Sequence, residues 1–183
     1  MSEKYKVRDQ ERPYFITFAT LEWVDVFTRA QYKDIIVESL KHCQQQKGMV
    51  LYAWCLMTNH IHLIIGRNGE ENIESIIRDF KKYTSVMVMR AIENNEAESR
   101  KQWMLRLFSG AALESKKHQK YKFWQDSYHP VELSTNFLMD QKLDYIHNNP
   151  VKDGVVDKPE EYCYSSARNY CGLPGLLKVS FMD

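Results

Sequence analysis

Two histidines, His60 and His62, sit two residues apart inside the apolar, β-branched run Met57-Thr58-Asn59-His60-Ile61-His62-Leu63-Ile64-Ile65. Side chains of a strand alternate between faces, so both imidazoles project from the same side. Two neutral imidazoles on a rigid strand make the greater part of a small metal site. Farther along, Tyr145 precedes Asn149 by four residues in Asp-Tyr-Ile-His-Asn-Asn-Pro. On a helix that spacing puts a phenol and a carboxamide oxygen on one face. The four residues together could perform metal-assisted cleavage of a phosphodiester. A divalent ion polarises a non-bridging oxygen, and a tyrosine attacks in line. The covalent phosphotyrosine keeps the phosphodiester energy, so a second strand can be joined without ATP. A mixed nitrogen and oxygen shell suits Mg or Mn, though imidazole also accepts Co, Ni or Zn.

Taken singly, these residues have ordinary uses. Two strand histidines are often half-exposed, a helix tyrosine often packs on a sheet, and asparagine suits a helix C-terminus. A structural zinc site is disfavoured, because no further Cys or His pair lies at zinc spacing. The four cysteines, Cys43, Cys55, Cys163 and Cys171, form no CxxC. With no secretory signal at the start, a reducing cytoplasm is the expected location. No apolar run reaches the length of a membrane span.

The chain has 183 residues, of which 44% are hydrophobic, enough for a single folded domain across residues 1–183, with loose tails expected at 1–12 and 172–183. The net charge is only +1, yet its distribution is uneven. Lys116, Lys117, Lys120 and Lys122 crowd around His118 and Tyr121, and Arg78, Lys81 and Lys82 share a second stretch. Local basic patches, more than the total, decide phosphate contacts. These seven are the candidate nucleic-acid-binding residues.

The elements that must position this chemistry are legible as patterns. Residues 14–20 read as a strand, and Thr28 is a candidate N-cap for a helix running to about Gln46 and stopping near Gly48. Residues 49–57 and 60–66 read as two strands joined by a turn at Thr58-Asn59. Asn72 should cap a helix reaching roughly Asn94. Residues 95–122 read as a loop or a partly helical excursion. A fourth strand is expected within 123–133, then a helix over about 137–148, capped by Ser134-Thr135-Asn136 and ended by Pro150. The order implies an α+β, ferredoxin-like β-α-β-β-α-β arrangement. Its antiparallel sheet would carry helices on one face, with an additional C-terminal helix bearing the tyrosine.

Several blocks go beyond spacing. Met-Thr-Asn-His-Ile-His-Leu-Ile resembles the MxNHxHL signature of the single-tyrosine HUH transposases (histidine, hydrophobic, histidine). Phe80-Lys81-Lys82-Tyr83-Thr84-Ser85 resembles their following helix. Phe123-Trp124-Gln125-Asp126-Ser127-Tyr128-His129 resembles their WQ segment, and residues 144–156 resemble their YIxxNPVxxGLV block. Residues 161–167 resemble the closing Y-x-x-SS segment. The WQ and NPV blocks look most like the REP-associated tyrosine transposase branch.

The resemblance implies a ferredoxin-like fold acting on single-stranded DNA folded into hairpins. It implies His60, His62 and Asn149 as metal ligands and Tyr145 as the nucleophile forming a 5′-phosphotyrosine. More distant members carry glutamine where Asn149 stands. Relatives include monomers and dimers with shared active sites, so a homodimer is one assembly it implies. Tyr83 is read as packing or DNA contact, because the position four residues on is Met87. The competing readings are a non-catalytic module that binds single-stranded nucleic acid and a domesticated nickase that processes repeats.

Overall fold

The computed structural model describes residues 7–115, 119–126 and 128–181. Four strands form one antiparallel sheet in the order β2-β3-β1-β4. They are β1 (Tyr14–Ala19), β2 (Met49–Leu56), β3 (His60–Arg67) and β4 (Val131–Glu132). The long helices are α1 (Ala30–Gln46), α2 (Ile73–Asn94), α3 (Lys101–Leu113) and α4 (Asn136–Lys152), with a short α5 at Ala167–Tyr170. Strand order and polarity are those of the ferredoxin-like pattern.

Alternation along β1 and β3 splits the core in two. Tyr14, Ile16 and Phe18 join Ile61, Leu63 and Ile65 on the face packed by α1, α2 and α3. Phe15 and Ile64 face the other way, toward Met139 and Ile146 of α4. Helix α4, the additional helix bearing the tyrosine, lies over this second face, so helices cover both sides of the sheet. Strand β2 serves both faces through a bulge between Leu51 and Ala53. The extra residue flips the alternation, so Leu51 faces α1 and α2 while Ala53 and Cys55 face α4.

Asn72 caps α2 as expected, its side chain accepting from Ser75 N at 2.8 Å. Thr28 does not cap α1. Arg29 holds the cap position, and the Thr28 hydroxyl instead accepts from Arg100 Nη2 at 3.1 Å. Part of the 95–122 stretch is α3, whose buried side chains are Met104, Phe108 and Ala112.

The expected fourth strand is broken. Trp124 makes an isolated bridge to Thr20, and only Val131–Glu132 pairs regularly with β1. Pro130, between them, has no N–H to give a ladder. Pro150 does not end α4 either: the helix gives up the one bond its missing N–H would make to Ile146 O and runs on to Lys152. The stop comes at Gly154, with φ of +68°. Val155 N bonds to Pro150 O at 2.8 Å and Gly154 N to Val151 O at 3.0 Å, the Schellman arrangement that a left-handed glycine permits.

The described parts of the tails are anchored rather than loose. Val7, Leu177 and Val179 are buried in the main core. The Gln10 side chain accepts from Ile73 N at 2.9 Å, and Ser180 N donates to Leu51 O at 2.9 Å. Among the described residues no helix is long and apolar enough to cross a membrane.

Candidate active site

His62 lies opposite Thr17 of β1 and Cys55 of β2, under α4. It is buried, and its ring stacks on Phe15 at 5.7 Å between centroids. His60, one pleat nearer the hairpin turn, is half-buried. The two Nε2 atoms face each other at 3.0 Å. The other ring nitrogens are held from behind. Thr17 Oγ1 stands 2.8 Å from His62 Nδ1, and Asn59 Oδ1 stands 2.6 Å from His60 Nδ1.

The Asn59 contact fixes a proton. Asn59 Nδ2 donates to the Trp23 carbonyl at 3.1 Å, which turns Oδ1 toward His60. A carboxamide oxygen only accepts, so His60 Nδ1 is the protonated nitrogen and Nε2 carries the free lone pair. Burial lowers the pKa of His60, partly offset by the Asp153 carboxylate. Burial, with His60 and Lys142 as smaller causes, drives His62 down to about 3. Both rings are therefore neutral near pH 7, the state that ligates metal.

Helix α4 brings the other half. Tyr145 lies edge-to-face with His62, centroids 5.1 Å apart at 71°. It is 39% exposed, and its hydroxyl has no hydrogen-bond partner among the described residues, so a substrate can reach it. One turn on, Asn149 is buried, with Nδ2 3.4 Å from His62 Nε2. Its Oδ1 is buried without a partner. An orphaned buried acceptor is costly, and rotating the carboxamide would aim this oxygen at the imidazoles.

These residues fit a divalent ion. Two nitrogens bound at about 2.1 Å and at right angles stand about 3 Å apart, matching the imidazole pair. A cation between them would satisfy both lone pairs and the stranded oxygen. Among the described residues no three His, Cys, Asp or Glu side chains gather as an alternative cluster.

Sequence reasoning missed the supports. Thr17 and Asn59 orient the rings. Lys142 Nζ lies 5.7 Å and Lys152 Nζ 5.6 Å from the Tyr145 ring centre. The signal was present: Lys142, Tyr145, Asn149 and Lys152 follow a 3-4-3 spacing, one stripe of a helix.

The basic candidates lie elsewhere. Arg78, Lys81, Lys82, Lys120 and Lys122, joined by Arg90, line a groove of about 830 Å³ between α2 and residues 119–126 and 128. This groove is on the α2 side of the sheet, away from Tyr145. Arg78, Lys120 and Lys122 are paired with Asp79, Glu93 and Asp126, and Lys81 Nζ donates to Gln125 O at 2.9 Å. Lys116 and Lys117 fall outside the described residues. Tyr83 is exposed on α2, across the sheet from the histidines.

The family profile described as "Transposase IS200 like" matches residues 13–149. The chain belongs to the IS200-like transposase family. Among solved structures, this IS200-like transposase is similar to a REP-associated tyrosine transposase bound to a REP hairpin. The likeness has a TM-score of 0.65 at 19% identity and covers 100% of this chain and 94% of that one. A crystal structure from Deinococcus radiodurans R1, of a protein provisionally named a transposase, matches with a TM-score of 0.46 at 18% identity, over 80% of this chain and 96% of that one. No curated protein matches the chain.

Proposed function

We propose that this transposase is a metal-dependent strand transferase that cleaves and rejoins single-stranded, hairpin-bearing DNA through a 5′-phosphotyrosine at Tyr145. The observation that carries the reading is one geometry. A reachable phenol lies against His62, whose Nε2 faces that of His60 at 3.0 Å, with the orphaned Asn149 oxygen beside them. His60, His62 and Asn149 would hold Mg or Mn. When bound, that ion would supply Lewis-acid polarisation of the scissile phosphate.

The chain's own residues do the rest. The Tyr145 oxygen attacks phosphorus and loses its proton. The bond from phosphorus to the 3′ oxygen breaks, and that oxygen leaves as a 3′-hydroxyl after taking up a proton. A second 3′-hydroxyl then attacks the phosphotyrosine, restoring the phosphodiester and the phenol. Lys142 and Lys152 add positive charge beside the tyrosine where the phosphate must sit. The hairpin partner is supported by the REP hairpin bound to the structural relative and by the basic groove.

The test is adduct formation. Purified protein is incubated with labelled hairpin DNA from beside its own gene, with Mn or Mg, and resolved on a denaturing gel. A covalent adduct lost with Tyr145→Phe, His60→Ala and EDTA is expected. Metal-independent binding with no adduct across a panel of hairpins would instead favour a binding module.

A further inference from the structure

Beside His60 stands a segment the proposed chemistry does not use. Leu21–Trp23 is one turn of 3-10 helix between β1 and α1. Glu22 and Trp23 have φ of 51° and 56°, both left-handed. Neither is glycine or asparagine, the residues that adopt this region cheaply. Strain of this kind persists only where surroundings over-determine it, and it clusters at functional sites.

The surroundings do over-determine it. Leu21 N bonds to Phe123 O at 2.8 Å and Thr20 N to Asn59 O at 2.9 Å. The buried Thr20 hydroxyl donates to Val24 O at 2.8 Å. Gln125 Nε2 holds Thr20 O at 3.1 Å, and Asn59 Nδ2 holds Trp23 O at 3.1 Å. The outcome is an indole left 53% exposed and T-shaped against the His60 ring, centroids 5.7 Å apart. A rigidly mounted, solvent-facing tryptophan next to a phosphate-handling site has the features of a base-stacking platform.

The geometry points to Trp23 as the stacking partner of one unpaired nucleobase flanking the phosphate gripped at His60 and His62. This inference rests on the proposed function for the location of that phosphate. Stacking accepts any base, so Trp23 would fix the register of the strand without reading its sequence. The ligand is single-stranded DNA, and the recognised group is the face of a base.

The test reads binding, so that it stands apart from cleavage. Full-length Tyr145→Phe protein, which cannot form the adduct, is titrated by fluorescence anisotropy with a labelled hairpin from beside the gene, carrying a single-stranded flank. A series of oligonucleotides replaces each flank base by an abasic site. Adding Trp23→Ala should weaken binding about 5- to 100-fold, and Trp23→Phe should restore most of it. At one abasic position the Trp23→Ala penalty should vanish. That position must also weaken binding to the parent protein, a readout that needs no folded Trp23 variant. Equal binding with and without Trp23, a penalty that persists at every abasic site, or no binding to any flank would overturn the platform. Adduct formation by protein retaining Tyr145, measured separately, decides the strand-transfer reading by itself.

Discussion

Thr17 Oγ1 meets His62 Nδ1 at 2.8 Å across the β1–β3 pairing, on the side of the ring away from His60. A hydroxyl can donate or accept, so Thr17 suits either neutral tautomer of His62. With the His62 proton on Nε2, toward the His60 lone pair, Thr17 donates to Nδ1. If His62 held a metal through Nε2, its proton would sit on Nδ1 and Thr17 would accept it. Thr17→Val keeps the shape and removes both roles. Mn affinity by calorimetry should fall roughly 10- to 100-fold, as for other groups that orient metal ligands, and the melting temperature should drop by a few degrees because the buried His62 Nδ1 loses its partner. Unchanged affinity would show that Thr17 only packs.

Lys142 gives a prediction with two signs. Its ammonium lies 4.8 Å from the Phe15 ring centre and 5.7 Å from that of Tyr145, and its charge helps to lower the His62 pKa. A cation so placed attracts phosphate and repels metal. Lys142→Gln should slow adduct formation several-fold while leaving Mn affinity equal or higher. A fall in Mn affinity would mean that the lysine supports the site by packing instead.

The basic groove separates committed cations from available ones. Lys82 and Arg90 are exposed in it, whereas Lys81 donates to Gln125 O and lies over the Phe18 and Tyr128 rings. If the groove carries the hairpin backbone, Lys82→Ala and Arg90→Ala should weaken binding to hairpins of every sequence alike. Each should also shallow the slope of log affinity against log salt by about 1. An unchanged slope in both would remove the groove from the DNA path.

Much of this site was readable because it obeys local periods. The two-residue repeat put His60 and His62 on one face, the four-residue step joined Tyr145 to Asn149, and Asn72 announced its helix. What escaped depends on long-range packing. A bulge beside Tyr52 decides which face receives Cys55, and no local pattern announces it. The left-handed turn at Glu22-Trp23 has no glycine to flag it, because Asn59, Phe123 and Gln125 impose it from distant elements. Pro150 was misread because a local rule for helix interiors fails within a turn of the end, where Gly154 takes over the stop. In α3 only a strip of every fourth side chain is buried, too narrow to stand out among charged neighbours.

Glu98 offers a stability prediction far from the chemistry. The segment after α2 is tied to the start of α1 by the buried Glu98 carboxylate, which accepts from Arg29 Nε at 2.7 Å and from Arg100 N at 3.2 Å, with Arg29 Nη2 also donating to Ala97 O at 3.0 Å and Asn95 Nδ2 to the Tyr32 hydroxyl at 2.9 Å. Arg100 in turn donates to Asp25 O at 2.8 Å, so the pair braces residues 25–29 behind the hairpin turn. Burial pushes the Glu98 carboxyl up, but the Arg29 and Arg100 bonds outweigh it and hold the group below the usual carboxylate range. The sign follows from proton binding. Between the lowered folded value and the unfolded value of about 4.3, the unfolded chain binds more protons, so stability rises with pH across that window. The contribution is complete above about pH 4.3 and is lost as pH falls through the folded value. Glu98→Gln should cost about 1.5–3 kcal/mol at pH 7, read by urea unfolding. The gap between parent and variant should narrow below about pH 4.3. A gap that stays constant down to pH values where the parent unfolds would show that Glu98 acts there through shape rather than charge.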